Sequence, residues 1–231
     1  MSKLIRKITV GKDYKENSMH YAVGQEVYGY ISLVEPRVLM RSITGFIVSP
    51  DGERYNNKVS VGDKELIVNS EIQNHEYVNR LAVVKSTPII NNTDIKVGDV
   101  VVVHHNVFRR WHNIKKKEKN TRSFLKDDEY IIQEDQIFLY KRNDGWTCMK
   151  GFCFIQPIKS LVKWDVVPEQ PCVGIIKYTD GSFNKDQLVG FHPSSMYEFI
   201  IEDQRLYRVY SKYITIKYER KGNEEAYNPS W

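Results

Sequence analysis

Apolar residues in this chain fall in short runs parted by Gly, Asn, Asp and Pro, and none keeps a helical spacing for long. Runs of this kind, rich in β-branched and aromatic residues, predict strands. The pattern therefore predicts an all-β fold, with strands expected at 46–48, 77–85, 99–104 and 130–140 in the first half. Positions 1–41 follow no such rhythm beyond short strands at Ile8-Thr9-Val10 and near Ile31, and Pro36 is expected to close them off.

The runs recur in order. Gly45-Phe46-Ile47-Val48-Ser49-Pro50 returns as Gly151-Phe152-Cys153-Phe154-Ile155-Gln156-Pro157, and Leu81-Ala82-Val83-Val84-Lys85 returns as Val173-Gly174-Ile175-Ile176-Lys177. More weakly, Val97-Gly98-Asp99-Val100-Val101-Val102-Val103 returns as Asn184-Lys185-Asp186-Gln187-Leu188-Val189-Gly190. Ile137-Phe138-Leu139 then matches Ile214-Thr215-Ile216. A conserved order implies a duplicated domain. Two tandem β-barrels are expected, at 42–142 and at 146–231 with a C-terminal tail, after an N-terminal extension at 1–41. At 231 residues, each half can bury a modest core. Arg142-Asn143-Asp144-Gly145 is a turn signal that should hold the last strand of one barrel antiparallel to the first of the next. The terminal Trp231 is expected to dock on the body or on a partner. The connection after the first strand is long in the first unit, 51–76. Its counterpart at 159–171 is shorter and stiffened by Pro168 and Pro171.

No apolar segment approaches the roughly 20 residues that cross a bilayer. The apolar part of the opening Met1-Ser2-Lys3-Leu4-Ile5-Arg6-Lys7 is too short for a signal peptide, so a soluble, intracellular protein is expected. Cys148, Cys153 and Cys172 lack paired spacing; Cys153 and Cys172 read as small buried hydrophobes, and no zinc site is expected.

The net charge of +5 is unevenly spread. Between 104 and 126 stand Arg109, Arg110, Lys115, Lys116, Lys117, Lys119, Arg122 and Lys126, against Glu118 alone. Arg109, Arg110, Lys115, Lys116, Lys117 and Lys119 form a candidate basic contact surface. With Trp111 it has the residue types for phosphate contact and base stacking. No nucleic-acid-binding fold signature surrounds it, so a solvated loop or contact with an acidic protein surface is expected over nucleic acid.

His104 and His105, adjacent on an expected strand, should point to opposite faces and share no metal. Glycine-rich phosphate loops are absent, and Ser194-Ser195 near His192 has no associated buried acid. Glu134-Asp135 and Asp127-Asp128 read as turn and strand-edge residues. No enzyme activity and no cofactor are expected.

Several runs also carry a family likeness. Phe46-Ile47-Val48, Leu66-Ile67-Val68, Arg80-Leu81-Ala82-Val83-Val84, Asp94-Ile95-Lys96-Val97-Gly98-Asp99-Val100-Val101-Val102 and Glu134-Asp135-Gln136-Ile137-Phe138-Leu139 resemble, in that order, the GroES co-chaperonin family. His104-His105-Asn106-Val107-Phe108-Arg109-Arg110-Trp111 and the tail Tyr227-Asn228-Pro229-Ser230-Trp231 are similar to the divergent members that tailed bacteriophages encode. The likeness spans about 42–231. It implies a β-barrel subunit that forms a homo-oligomeric ring and caps a host GroEL-type chaperonin, the partner hydrolysing ATP. It also implies a mobile loop whose aliphatic tripeptide docks between chaperonin helices. Mapped here, the tripeptide is Leu66-Ile67-Val68 and the loop is 51–76. The glycine pair that commonly precedes the tripeptide is replaced by Lys64-Glu65, and the alternation through Val59-Ser60-Val61 also fits an ordinary core strand. The implied function is a phage-type co-chaperonin of the host bacterial cytoplasm that assists folding, for instance of a capsid protein. The alternative is a structural or virion-assembly protein without a chaperonin partner.

Overall fold

The computed structural model describes residues 41–70, 74–142, 145–160, 168–219 and 224–229. The expectations for 1–40, Asn143-Asp144 and Trp231 lie outside them. The first half carries β1 (Phe46–Pro50), β2 (Lys58–Val61), β3 (Lys64–Ile67), β4 (Leu81–Ser86), β5 (Val100–Val103), β6 (Arg110–His112), β7 (Glu118–Asn120), β8 (Phe124–Lys126), β9 (Glu129–Ile132), β10 (Ile137–Arg142) and β11 (Gly145–Cys148). In the second half are β12 (Phe152–Lys159), β13 (Glu169–Thr179), β14 (Leu188–Phe191), β15 (Tyr197–Ile201), β16 (Gln204–Tyr210) and β17 (Ile214–Lys217). The fold is all-β and antiparallel.

Two large sheets hold most of these strands. Their orders are β11-β10-β5-β4-β1-β9-β8 and β17-β14-β13-β12-β16-β15. Apart from β11, one order maps onto the other strand by strand, so the duplication is present in the topology. Fine geometry repeats as well. Where β1 meets β4 the register jumps past Lys85, and where β12 meets β13 it jumps past Lys177. Gly98 N donates to Val84 O and Val84 N to Asp99 O, while Asp186 N donates to Ile176 O and Ile176 N to Gln187 O. Each pair forms a bulge entered through a positive φ, +92° at Gly98 and +62° at Asp186.

These pairings correct two of the sequence matches. Gly98 is equivalent to Asp186, and Phe46 to Cys153, each displaced by one residue from the match of letters. Sequence similarity follows residue type, whereas the ladder counts every bulge residue.

Two expected strands also change. The stretch 130–140 is split by a 3-10 turn at Glu134–Gln136, because β9 pairs with β1 while β10 pairs with β5, on opposite sides of the central strands. The stretch 77–85 begins only at Leu81. Asn79 ties the preceding turn, donating through Nδ2 to Asp51 O and Glu53 O and accepting from Leu81 N. Among the described residues neither large sheet is closed by strand pairing: β11 and β8 are the edges of one, β15 and β17 of the other.

Strand alternation builds a main core on each sheet and another between them, beside a small cluster of Ile158, Ile175 and Leu188 in the second sheet. Phe46, Val48, Ala82, Val84, Val101, Val103, Tyr130, Ile132 and Ile137 face one cluster in the first sheet. Their equivalents Cys153, Ile155, Ile176, Val189, Phe191, Tyr207, Val209 and Ile214 do the same in the second. The partner of Ala82 is Gly174, where a Cβ would stand 2.4 Å from Gln156 O; the closer approach of β12 leaves no room for a methyl.

The opposite faces meet at a seam. Val102, Phe138, Leu139 and Cys148 of the first sheet pack on Phe154, Phe199, Ile201 and Leu206 of the second. Phe138 stands edge-on to Phe152 and Phe199 at ring separations of 5.2 and 5.6 Å. The strands on either side of 143–144 are paired, Arg142 standing opposite Gly145. However, the strand that follows is β11, an added edge of the first sheet, and β12 starts afresh in the second. The tail upstream of Trp231 lies along β12, with Tyr227 N donating to Pro157 O and Lys159 N to Glu225 O.

Phe199→Ala is expected to destabilise the protein by about 3–5 kcal/mol through the cavity it leaves. Because the seam belongs to both sheets, the thermal transition should shift as a single step in calorimetry. The two-residue turn between β8 and β9 holds Asp127 and Asp128 at φ +45° and +57°, a geometry that favours Asn-Gly. Asp127→Asn/Asp128→Gly should therefore raise stability by about 1 kcal/mol in urea unfolding.

Candidate functional site

The two repeats share a scaffold but not their connections, and both large insertions lie in the first. After β1 the chain runs through 51–80 before β4; after β5 it runs through 104–123 before β8, where the second repeat needs only 192–196 between β14 and β15. β1 and β5 are parallel within their sheet, so both insertions leave from the same end. The second repeat builds the same sheet without a β6–β7 counterpart, so that insertion is not required by the scaffold.

The first insertion is a two-stranded hairpin, β2 with β3, closed by Gly62-Asp63 with Gly62 at φ +61°. Glycine at the first central position suits a type II′ turn. Its base is tied down. Tyr55 bridges Val78, Asn56 N donates to Tyr77 O, and Val68 N donates to Asn57 O. Beyond that base, every residue of β2 and β3 is exposed.

Leu66, Ile67 and Val68 lie on this hairpin, 51%, 66% and 53% exposed. They are neither in a core strand nor on an unpaired loop. Leu66 stands opposite Val59, and Lys58 opposite Ile67. Alternation therefore puts Leu66 and Val68 on one face with Val59 and Val61, and turns Ile67 to the other face with Lys58, Ser60 and Glu65. The contiguous apolar face is Val59, Val61, Leu66 and Val68. The sequence alternation at 59–61 held that information, but the register across the turn was needed to join Val59 to Leu66.

The basic segment forms the second hairpin, β6 with β7. Its tip is fixed by Asn113, whose Oδ1 accepts from Lys117 N while its O accepts from Lys116 N. Lys115, Lys116 and Lys117 are exposed there. Of the predicted surface, Arg110 is turned to the other face of the hairpin from Lys119. Arg110 is engaged: NH1 donates to Glu118 Oε1 at 2.7 Å and its guanidinium lies over the Tyr55 ring. Lys119 stands opposite Trp111 on the other face, and Arg109 lies on that side, lining a groove with Trp111. Arg54 fastens the two insertions together, donating from Nε to Phe108 O at 2.6 Å and from NH1 to Asn120 Oδ1 at 2.9 Å.

At the root of both insertions is a group that sequence reasoning placed wrongly. β5 ends at Val103, so His104 and His105 occupy a turn, and their rings lie 4.3 Å apart instead of on opposite faces. Both stack near Tyr197 of the second repeat, and His105 Nδ1 is hydrogen-bonded to the Tyr197 hydroxyl. Arg80 crosses the same seam, donating to Glu198 O and lying over the Tyr197 and Phe199 rings. Burial, reinforced by His104, Arg80, His75 and Arg109, pushes the His105 imidazole down to about 3. Burial together with Arg208 and Arg80 also lowers His104. Elsewhere, His192 Nδ1 lies 2.7 Å from Ser194 Oγ and accepts from Ser194 N, capping the 3-10 turn at Pro193–Ser195. Among the described residues no group of three or more His, Cys, Asp or Glu is arranged to hold a metal ion.

Both histidines are therefore neutral when folded at neutral pH, and an unfolded chain takes up their protons first as acid is added. The unfolded state binds more protons between about pH 6.5 and 3, so stability rises with pH across that window. Melting temperature should fall as pH drops from 7 to 4. His105→Asn, which keeps an acceptor for Tyr197 but cannot charge, should flatten that fall. An unchanged slope would show that the seam histidines do not drive it.

Comparison of the chain with family models, curated proteins and solved structures returned no match.

Proposed function

We propose that this chain is a co-chaperonin of GroES-like type, with tandem repeats of that fold, and that it docks through the apolar face of the β2–β3 hairpin. The observation that carries the reading is the exposure of Val59, Val61, Leu66 and Val68 together on a hairpin tied down at its base. An exposed apolar face of this kind is suited to an apolar groove on another protein. The partner in this reading is a GroEL-type chaperonin of the host bacterium, which supplies the ATP hydrolysis.

The energetics suit a releasable contact. Each of the four side chains has roughly half its surface left to bury, worth on the order of 1 kcal/mol apiece. Because the strands are already paired, little ordering cost opposes docking. One hairpin remains a weak ligand, so useful affinity requires several on one assembly. Support for self-assembly comes from the seam. The two repeats meet through non-equivalent faces, and the face that carries Val102 and Leu139 in the first repeat carries Gly190 and the 51%-exposed Ile216 in the second. A face of that type is open to a further copy in the same head-to-tail sense.

In native electrophoresis with a bacterial chaperonin and ATP, the protein should co-migrate with the chaperonin. Val59→Ser/Leu66→Ser/Val68→Ser should abolish this, and Ile67→Ser should weaken it less. No co-migration of the unmutated protein would overturn the reading. A second reading, a virion-assembly component, is favoured by one observation: the segment is a paired hairpin, which suits a permanent contact. A fixed stoichiometry in purified phage particles would select it.

A further inference from the structure

The flank of the basic hairpin contains a groove of about 510 Å³ lined by Asn106, Arg109, Trp111, Thr121, Arg122, Ser123 and Gln136. This is within the size range that holds a nucleotide unit. No acidic residue is among the described residues that line it. Glu118, the one acid between 104 and 126, stands on the opposite face of the hairpin and is paired with Arg110. Glu134 and Asp135 precede Gln136 but do not line the groove. Trp111 is 38% exposed, with its cross-strand neighbour Lys119 beside it.

Arg109, which lines the groove, keeps its Nε buried with no hydrogen-bond partner among the described residues. Arg109, Arg122 and Lys119 thus gather positive charge around a flat indole, with amide and hydroxyl groups between them. From the groove the exposed Lys115, Lys116 and Lys117 extend the charge along the tip. An indole offers nothing specific to an acidic peptide, but it stacks on any base, while the cations track phosphates.

We infer that this groove binds single-stranded nucleic acid, one base stacking on Trp111 and the adjoining phosphates meeting Arg109, Arg122 and Lys119. The site lies on the second insertion and does not depend on the chaperonin reading of the first. The sequence alone ranked nucleic acid behind a solvated loop or an acidic protein surface, because no nucleic-acid-binding fold signature surrounds the segment. It did not bring Trp111, Arg122 and Asn106 together. They converge only when β6 pairs with β7.

The test is fluorescence anisotropy with labelled dT20 and U20 at 50 and 200 mM salt, with polyglutamate as competitor. Saturable binding is expected for at least one oligonucleotide, and the stronger of the two distinguishes DNA from RNA. Trp111→Ala should weaken it by about 5- to 100-fold, whereas Trp111→Phe should retain most of it. Arg122→Ala should lower the salt slope by about one. Circular dichroism checks that the variants are folded. No saturable binding at 50 mM salt would overturn the inference. So would binding that Trp111→Ala leaves unchanged while Lys115→Glu/Lys116→Glu/Lys117→Glu removes it, and so would equal displacement by polyglutamate.

Discussion

Phe138, Phe154 and Phe199 hold the two sheets against each other, and the remaining architecture depends on that contact. Their rings meet edge-on at the centre of a seam to which each sheet contributes its outer face. The requirement is severe: strands such as β5 and β12 must be apolar on both faces. Val101 and Val103 serve the sheet's own core while Val102 serves the seam. Cys153 and Ile155 do the same around Phe154. Arg80, Tyr197 and His105 close the rim of this contact, each desolvated by it, so polar groups there are paired across the repeats.

Duplication makes the molecule its own control. Two copies of one sheet fold from different residues, and equivalent positions tolerate Phe against Cys or Ala against Gly so long as the volumes suit the local spacing. What one copy has and the other lacks is not needed to make the sheet. By that criterion the β6–β7 hairpin, and the part of 51–80 beyond its anchored base, are additions to a complete scaffold. They leave from the same end and are tied together by Arg54. One presents an apolar face and the other a basic groove, so the two surfaces are chemically distinct although they share a root.

Much of this was legible in the chain. Alternating runs and recurring order disclosed the all-β class and the duplication, because a strand's burial pattern is written locally at period two. The family likeness singled out Leu66, Ile67 and Val68 as an aliphatic tripeptide on a long connection, and charge singled out Arg109 and Trp111 as members of a basic segment. The errors share a cause. Matching Phe46 to Phe152 followed letters and missed the bulges that set register. Treating 130–140 as one strand overlooked the turn at Glu134–Gln136. Placing His104 and His105 on opposite faces assumed that β5 continued beyond Val103.

Local pattern and turn chemistry thus decided which residues form strands, which connections are long and where charge accumulates, since these depend on near neighbours. Pairing decided the rest. Which valine stands opposite Leu66, which arginine shares a groove with Trp111, and which tyrosine meets His105 are contacts between residues far apart in the chain or across a turn of unknown register. A shift of one residue in a ladder turns every side chain to the other face, so such neighbours exist only once the sheets are assembled.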